Sequence, residues 1–199
     1  MLKFKNKKFL MLASAAMVAL PVAMAGAVST TINASASFAT ALTVTPVDDM
    51  SFASWYFGHA LIAGDHLDLG TDDSVTPTAN FQFNSGTKKA GKVTVAGATG
   101  TTFPIEVRCS PTAAMYEATA TTSRIDVVGI KVTNGAGAAY PAGDTCSTST
   151  PVIYNLVAGA ATLKFGGRID GATAVTFVAG DYSTLNGAGT PITVDVLYQ

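Results

Sequence analysis

Two histidines and four aspartates crowd the stretch between residues 59 and 73: His59, Asp65, His66, Asp68, Asp72 and Asp73. Hard cations take several carboxylate oxygens, so this is the first place to look for a metal. The order lacks the central Gly and the closing Glu of an EF-hand loop, and Gly58 to Thr78 is expected to be a solvated hairpin with polar turns. Cys109 and Cys146 stand 37 positions apart. Two cysteines and two distant histidines are too few for a zinc centre, and a disulfide between them is expected. Closing that loop is worth roughly 3–4 kcal/mol on the chain-entropy model. No Gly-x-Ser-x-Gly elbow or His-Glu-x-x-His is present. The run Gly166-Gly167-Arg168-Ile169-Asp170-Gly171 lacks the Lys-Ser/Thr ending of a phosphate loop. The acids sit mainly in turns, without the carboxylate pair of a glycosidase. No catalytic residue, cofactor or metal ligand is expected, and the sequence reads as non-enzymatic.

The N-terminal residues set the compartment. Lys3, Lys5, Lys7 and Lys8 precede an apolar run, Phe9 to Ala27, that closes on Ala23-Met24-Ala25. This has the form of a secretory signal peptide over residues 1–25, with Ala27 as the alternative cleavage point. No later stretch is apolar for long enough to span a bilayer as a helix, so the mature chain is expected in the periplasm, on the cell surface or outside the cell. Removing the leader leaves eight Lys and Arg against thirteen Asp and Glu, a net charge of −5. Nucleic acid is therefore not an expected partner. Charged residues make up 13% and hydrophobic ones 48% of the sequence, which suits a packed β-structure or an assembly surface.

From Val28 to Pro46 the chain alternates. Ile32, Ala34, Ala36 and Phe38 share one face with Leu42 and Val44, while Ser, Thr, Asn and Ala take the other. A typical strand has about 5–6 residues, so this stretch is either two strands end to end or one strand with an extension. Residues 26–46 are read as an N-terminal strand or donor arm. Pairing with the chain's own sheet and pairing with another copy both satisfy the alternation.

Residues 47–199 read as one all-β domain. Met50 to Phe57 is an apolar run holding the single Trp, Trp55, read as a packing aromatic. Thr102 to Cys109 sets Phe103, Ile105, Val107 and Cys109 on one face. Further strands are expected at Ala79 to Asn84, Lys92 to Ala96, Arg124 to Thr133 with a bulge at Gly129, Pro151 to Val157, Ala161 to Ile169 and Thr173 to Ala179. Asn134 to Ser149 reads as a loop carrying Cys146. Ile192, Val194, Val196 and Tyr198 alternate in a terminal strand. Short strands at this spacing, separated by turn signals, define an antiparallel sandwich or barrel.

The run Ala161 to Ile169 with its Gly166-Gly167, then Gly180-Asp181-Tyr182 and Pro191 to Tyr198, resembles the ending of the bacterial family called domain of unknown function 4402. Leu42-Thr43-Val44, Asp49 to Phe52 and Gly91 to Val95 fit the same pattern. Ala53 stands where that family commonly has Gly. The family is itself similar to pilin-like and spore-coat-U-like secreted proteins, whose terminal strand has Tyr next to last and Gly shortly before it, as Tyr198 and Gly187 or Gly189 do here. The resemblance implies an immunoglobulin-like sandwich with a groove along its terminal strand, filled by the N-terminal arm of the next subunit. It implies other copies or related subunits as partners, and a periplasmic chaperone. The leading expectation is a structural subunit of a surface filament or coat. The alternative is a monomeric secreted binding module, for carbohydrate or adhesin-like, using Trp55, Tyr56, Phe57 and the loop from His59 to Asp73.

Overall fold

The computed structural model describes residues 41–99 and 102–199. The leader and the arm positions Ile32, Ala34, Ala36 and Phe38 lie outside the described residues. Strands form where β-branched and aromatic residues alternate with polar ones. In chain order they are β1 (Thr43–Asp48), β2 (Ser54–Phe57), β3 (His66–Leu69), β4 (Val75–Pro77), β5 (Phe81–Ser85), β6 (Gly91–Ala96) and β7 (Phe103–Cys109). They continue as β8 (Ala113–Glu117), β9 (Arg124–Asn134), β10 (Asp144–Thr145), β11 (Val152–Leu156), β12 (Ala160–Asp170), β13 (Tyr182–Ser183) and β14 (Val194–Tyr198). β1 carries its strand past Pro46 into the body, pairing with β6 from Thr43 to Asp48.

The fold is an all-β antiparallel sandwich. Its larger layer has the order β1-β6-β12-β9-β8-β13, with β10 added to β9 and the β3–β4 pair added to β12. The second layer is in two pieces: a sheet β11-β7-β14 and a separate ribbon β2-β5. The alternation of β7 buries Ile105, Val107 and Cys109. These meet Val95, Val132 and Leu163 of the larger layer in one core cluster. Each large side chain buried in this way contributes about 1.5–3 kcal/mol.

β12 organises the larger layer. Ala160 to Phe165 pair with β6, Gly167 to Asp170 pair with β3, and the opposite edge pairs with β9. Gly166 stands at the changeover, where an added Cβ would strike the backbone at Leu69 and Gly70. The register of β9 slips opposite Gly167, and Gly129 has a φ of 58° there. This is the bulge expected at that glycine.

Two sequence expectations need correction. Thr173 to Ala179 is not a strand: a 3₁₀ turn covers Gly171–Thr173, Val175 alone bridges to Arg124, and Thr176 turns the chain with a φ of 49°. Its β-branched residues were a misleading signal because Phe177 is used for an aromatic contact, not for a ladder. The stretch Gly58 to Thr78 does hold the expected hairpin, β3 paired antiparallel with β4, but it is not solvated: Asp65 and Asp68 are each only 8% exposed.

The run Met50 to Phe57 is broken by Ala53, whose φ is 67°. A left-handed conformation costs an L-residue roughly 1–2 kcal/mol, and glycine's greater unfolded freedom offsets part of that. Ala53→Gly is expected to stabilise the protein by about 0.5–1 kcal/mol. A chemical-denaturation midpoint that stays put or falls would contradict this account of the position.

Candidate functional site

β14 ends its sheet: it pairs with β7 on one side, and no described strand pairs with its other edge. Its odd positions point outward, with Leu197 57% exposed. Ile192, Val194, Val196 and Tyr198 turn toward the core but remain only half-buried. Beside the Ile192 end lies a slot of about 380 Å³. Its lining runs from Ile192 and Val194 across Val127, Phe165 and Val93 of the larger layer to Pro46 of β1. β1 is itself the end strand of the larger layer, and Val44 and Val47 are 38% and 46% exposed. Two edges thus border an apolar gap in which neither covers the other.

The layers are tied elsewhere. Cys109 of β7 is bonded to Cys146, which follows β10 and donates its N–H to Ile130 of β9. Cys146 therefore belongs to a segment fixed to the larger layer, not to a loop free of it. The Tyr154 hydroxyl of β11 lies 2.9 Å from the Val132 carbonyl and 2.7 Å from the Asp144 carboxylate. Burial and Asp144 together push this phenol far above its ordinary range. Beyond the other end of β14, Tyr198 accepts the N–H of Ala98 at 2.7 Å and meets Phe103 edge to face at 6.1 Å. Among the described residues the sandwich is closed at Tyr198 and open at Ile192.

The β1 edge is fastened by charge. Asp48 lies 2.6 Å from the Lys89 ammonium and 3.7 Å from that of Lys92. The hydrogen bond from Lys89 holds its carboxyl below the usual carboxylate range, against a smaller opposing effect of desolvation. A depressed carboxyl stabilises the fold above its unfolded pKa, about 3.9 for Asp, and loses that contribution as pH falls through the folded value. Amide protection along β1 is expected to drop below about pH 4, and Lys89→Met should remove that pH dependence. Equal protection profiles in the two proteins would exclude Asp48 as the cause.

A second cavity, of about 640 Å³, lies under the β2–β5 ribbon. Trp55 pairs with Phe83 and Phe57 with Phe81 across the ribbon, so these four rings share one face. Leu67, Ile125 and Ile169 of the larger layer also line the cavity, as do Phe177 and Tyr182. Phe57 meets Phe177 edge to face at 5.2 Å, and Phe177 stacks on Tyr182 at 5.2 Å. Met50, Phe52, Met115 and Tyr182 border both cavities. Sequence reading anticipated Trp55 as a packing aromatic but missed this role for Phe177, in an irregular segment with no periodic signal, and for Tyr182, in the two-residue strand β13.

The residues of the acidic loop are dispersed into structural roles. Asp65 accepts the Ile62 N–H at 3.1 Å and the Asn80 amide at 2.9 Å. Asp68 receives a two-point contact from Arg168, at 2.6 and 2.9 Å. Asp72 caps the turn at Ser74, and Asp73 accepts the N–H of Ala90 at 2.6 Å. His59 and His66 sit 3.8 Å from Asp65 and Asp68 respectively. Among the described residues no helix is long and apolar enough to cross a membrane. No family model matches the chain, and no curated protein matches it.

Proposed function

We propose that this chain is an exported, non-enzymatic structural subunit of a bacterial surface filament or coat, assembled by strand complementation. Residues 28–40 of one copy add alongside β14, the end strand of its sheet among the described residues, in the next. The observation that carries this reading is the partly buried inner face of β14 beside an apolar slot, with β1, the end strand of the larger layer among the described residues, across it. An open edge with an uncovered apolar face is a template for another strand. Ile32, Ala34, Ala36 and Phe38 repeat the spacing of Ile192, Val194, Val196 and Tyr198, so one alternating segment matches the other along its length. Seven residues of strand at about 3.3 Å each cover the edge from Ile192 to Tyr198. The contact is head-to-tail and does not close on itself, which gives a filament. In this reading the sandwich is immunoglobulin-like with one strand supplied from outside, and a periplasmic chaperone covers the slot before assembly.

The test is the purified protein with and without residues 28–40, run unheated on a denaturing gel and by size exclusion. A ladder that needs the arm and collapses on boiling is expected. Two monomers of equal stability would rule out strand exchange.

A further inference from the structure

We propose that the aromatic cavity under the β2–β5 ribbon binds a small organic cation, a compact apolar or aromatic body bearing one protonated amine. This stands apart from the assembly reading, because Trp55, Phe57, Phe81 and Phe177 line this cavity and not the slot at β14, although the two share four border residues.

At about 640 Å³ the cavity is of the size that holds small molecules. Its deep side is apolar: Leu67, Phe81 and Ile125 are 3%, 8% and 2% exposed. A ligand with hydroxyls on every side would leave them unpaired there at a cost, so the inserted part is apolar. The walls are ring-rich, and aromatic faces attract ammonium groups. The ribbon already does this with its own lysine: the Lys88 ammonium lies 4.6 Å from the Phe83 ring centre and 5.4 Å from that of Trp55. Among the lining residues Asp181 is the one with a formal charge, and none is Lys or Arg. Asp181 is held in place by its carbonyl, which accepts the Ala118 N–H at 3.0 Å and the Asn186 amide at 3.2 Å. Apolar depth, aromatic walls and an acidic rim favour an amine and disfavour an anion of the same shape. The small side chains of the arm, Ala34 and Ala36 among them, would not fill such a space.

Trp55 is the single tryptophan, so its fluorescence reports on the cavity directly. The purified protein is titrated with phenethylamine, with 2-phenylethanol as the neutral counterpart and 3-phenylpropanoate as the anionic one. The expected result is a saturable change with the amine at an affinity about tenfold above the alcohol, and weaker binding still of the acid. Asp181→Asn, an exposed rim change that leaves the core untouched, should lower the amine's affinity to that of the alcohol. Phe177→Ala should weaken the amine and the alcohol alike, with its circular dichroism checked against the parent. Equal affinities for amine and acid would overturn the proposal. So would the absence of saturable binding, or a Trp55 signal that follows polymer formation and ignores the amine, since the occupant would then be a neighbouring copy.

Discussion

Replacing Cys109 and Cys146 together by alanine is expected to lower the stability of the protein by about 3–4 kcal/mol. The bond spans 37 residues of sequence, with Cα atoms 5.0 Å apart, and joins the β11-β7-β14 sheet to the larger layer. Both sulfurs are buried, at 1% exposure for each residue, so the substitution removes packing as well as the cross-link. For a domain of this size the change corresponds to a fall in melting temperature of roughly 10 °C. Reductant opens the cross-link but keeps both sulfurs, so denaturant titration of the parent with and without it should give a difference no larger than that of the double variant. A loss under about 1 kcal/mol would mean that packing alone holds the layers together and that the unfolded chain gains little from release.

Arg168→Ala is expected to cost about 2–3 kcal/mol. Its guanidinium grips the Asp68 carboxylate at two points and lies 5.3 Å from the centre of the Tyr140 ring. The hydrogen bond to Asp68 is the main reason that the Arg168 guanidinium holds its proton still more firmly than usual. Removing it leaves a carboxylate of 10% side-chain exposure without its strongest partner. A fully buried pair broken from one side costs about 3–5 kcal/mol. Arg168 is 34% exposed, and water screening reduces the figure. The double variant Asp68→Ala with Arg168→Ala should lose less than the sum of the two single changes. Strict additivity would show that the pair contributes nothing as a pair.

What could be read from sequence follows the strength of local pattern. β7 and β14 were legible because each alternates cleanly, β7 with a buried face and β14 with a partly buried one. β12 was legible in extent, but its change of partner from β6 to β3 depends on which backbone meets Gly166. β8, Ala113–Glu117, was missed because an Ala-rich segment has weak strand propensity and is stabilised by its neighbours. Thr173 to Ala179 misled for the opposite reason, strong propensity overridden by the turn at Thr176. The acidic loop looked solvated because Asp68 and Arg168 are 100 residues apart, a pairing that no local window contains. The slot was foreshadowed by the alternation of the terminal strand. The aromatic cavity was not, since it draws on the ribbon, the larger layer and an irregular segment at once.

The double partnership of β12 also governs how fast this protein reaches its native state. Its first half waits for β6 and its second half for β3, strands that precede it by long stretches of sequence. Each pairing closes a long loop before any contact energy is gained. Antiparallel sandwiches built on such distant pairings fold on millisecond-to-second timescales. Through that interval β3, β6 and the apolar face of β9 are all unsatisfied, and copies that meet then do so with bare edges. Slow closure around one late strand makes association between half-folded copies, more than final stability, the hazard for this chain.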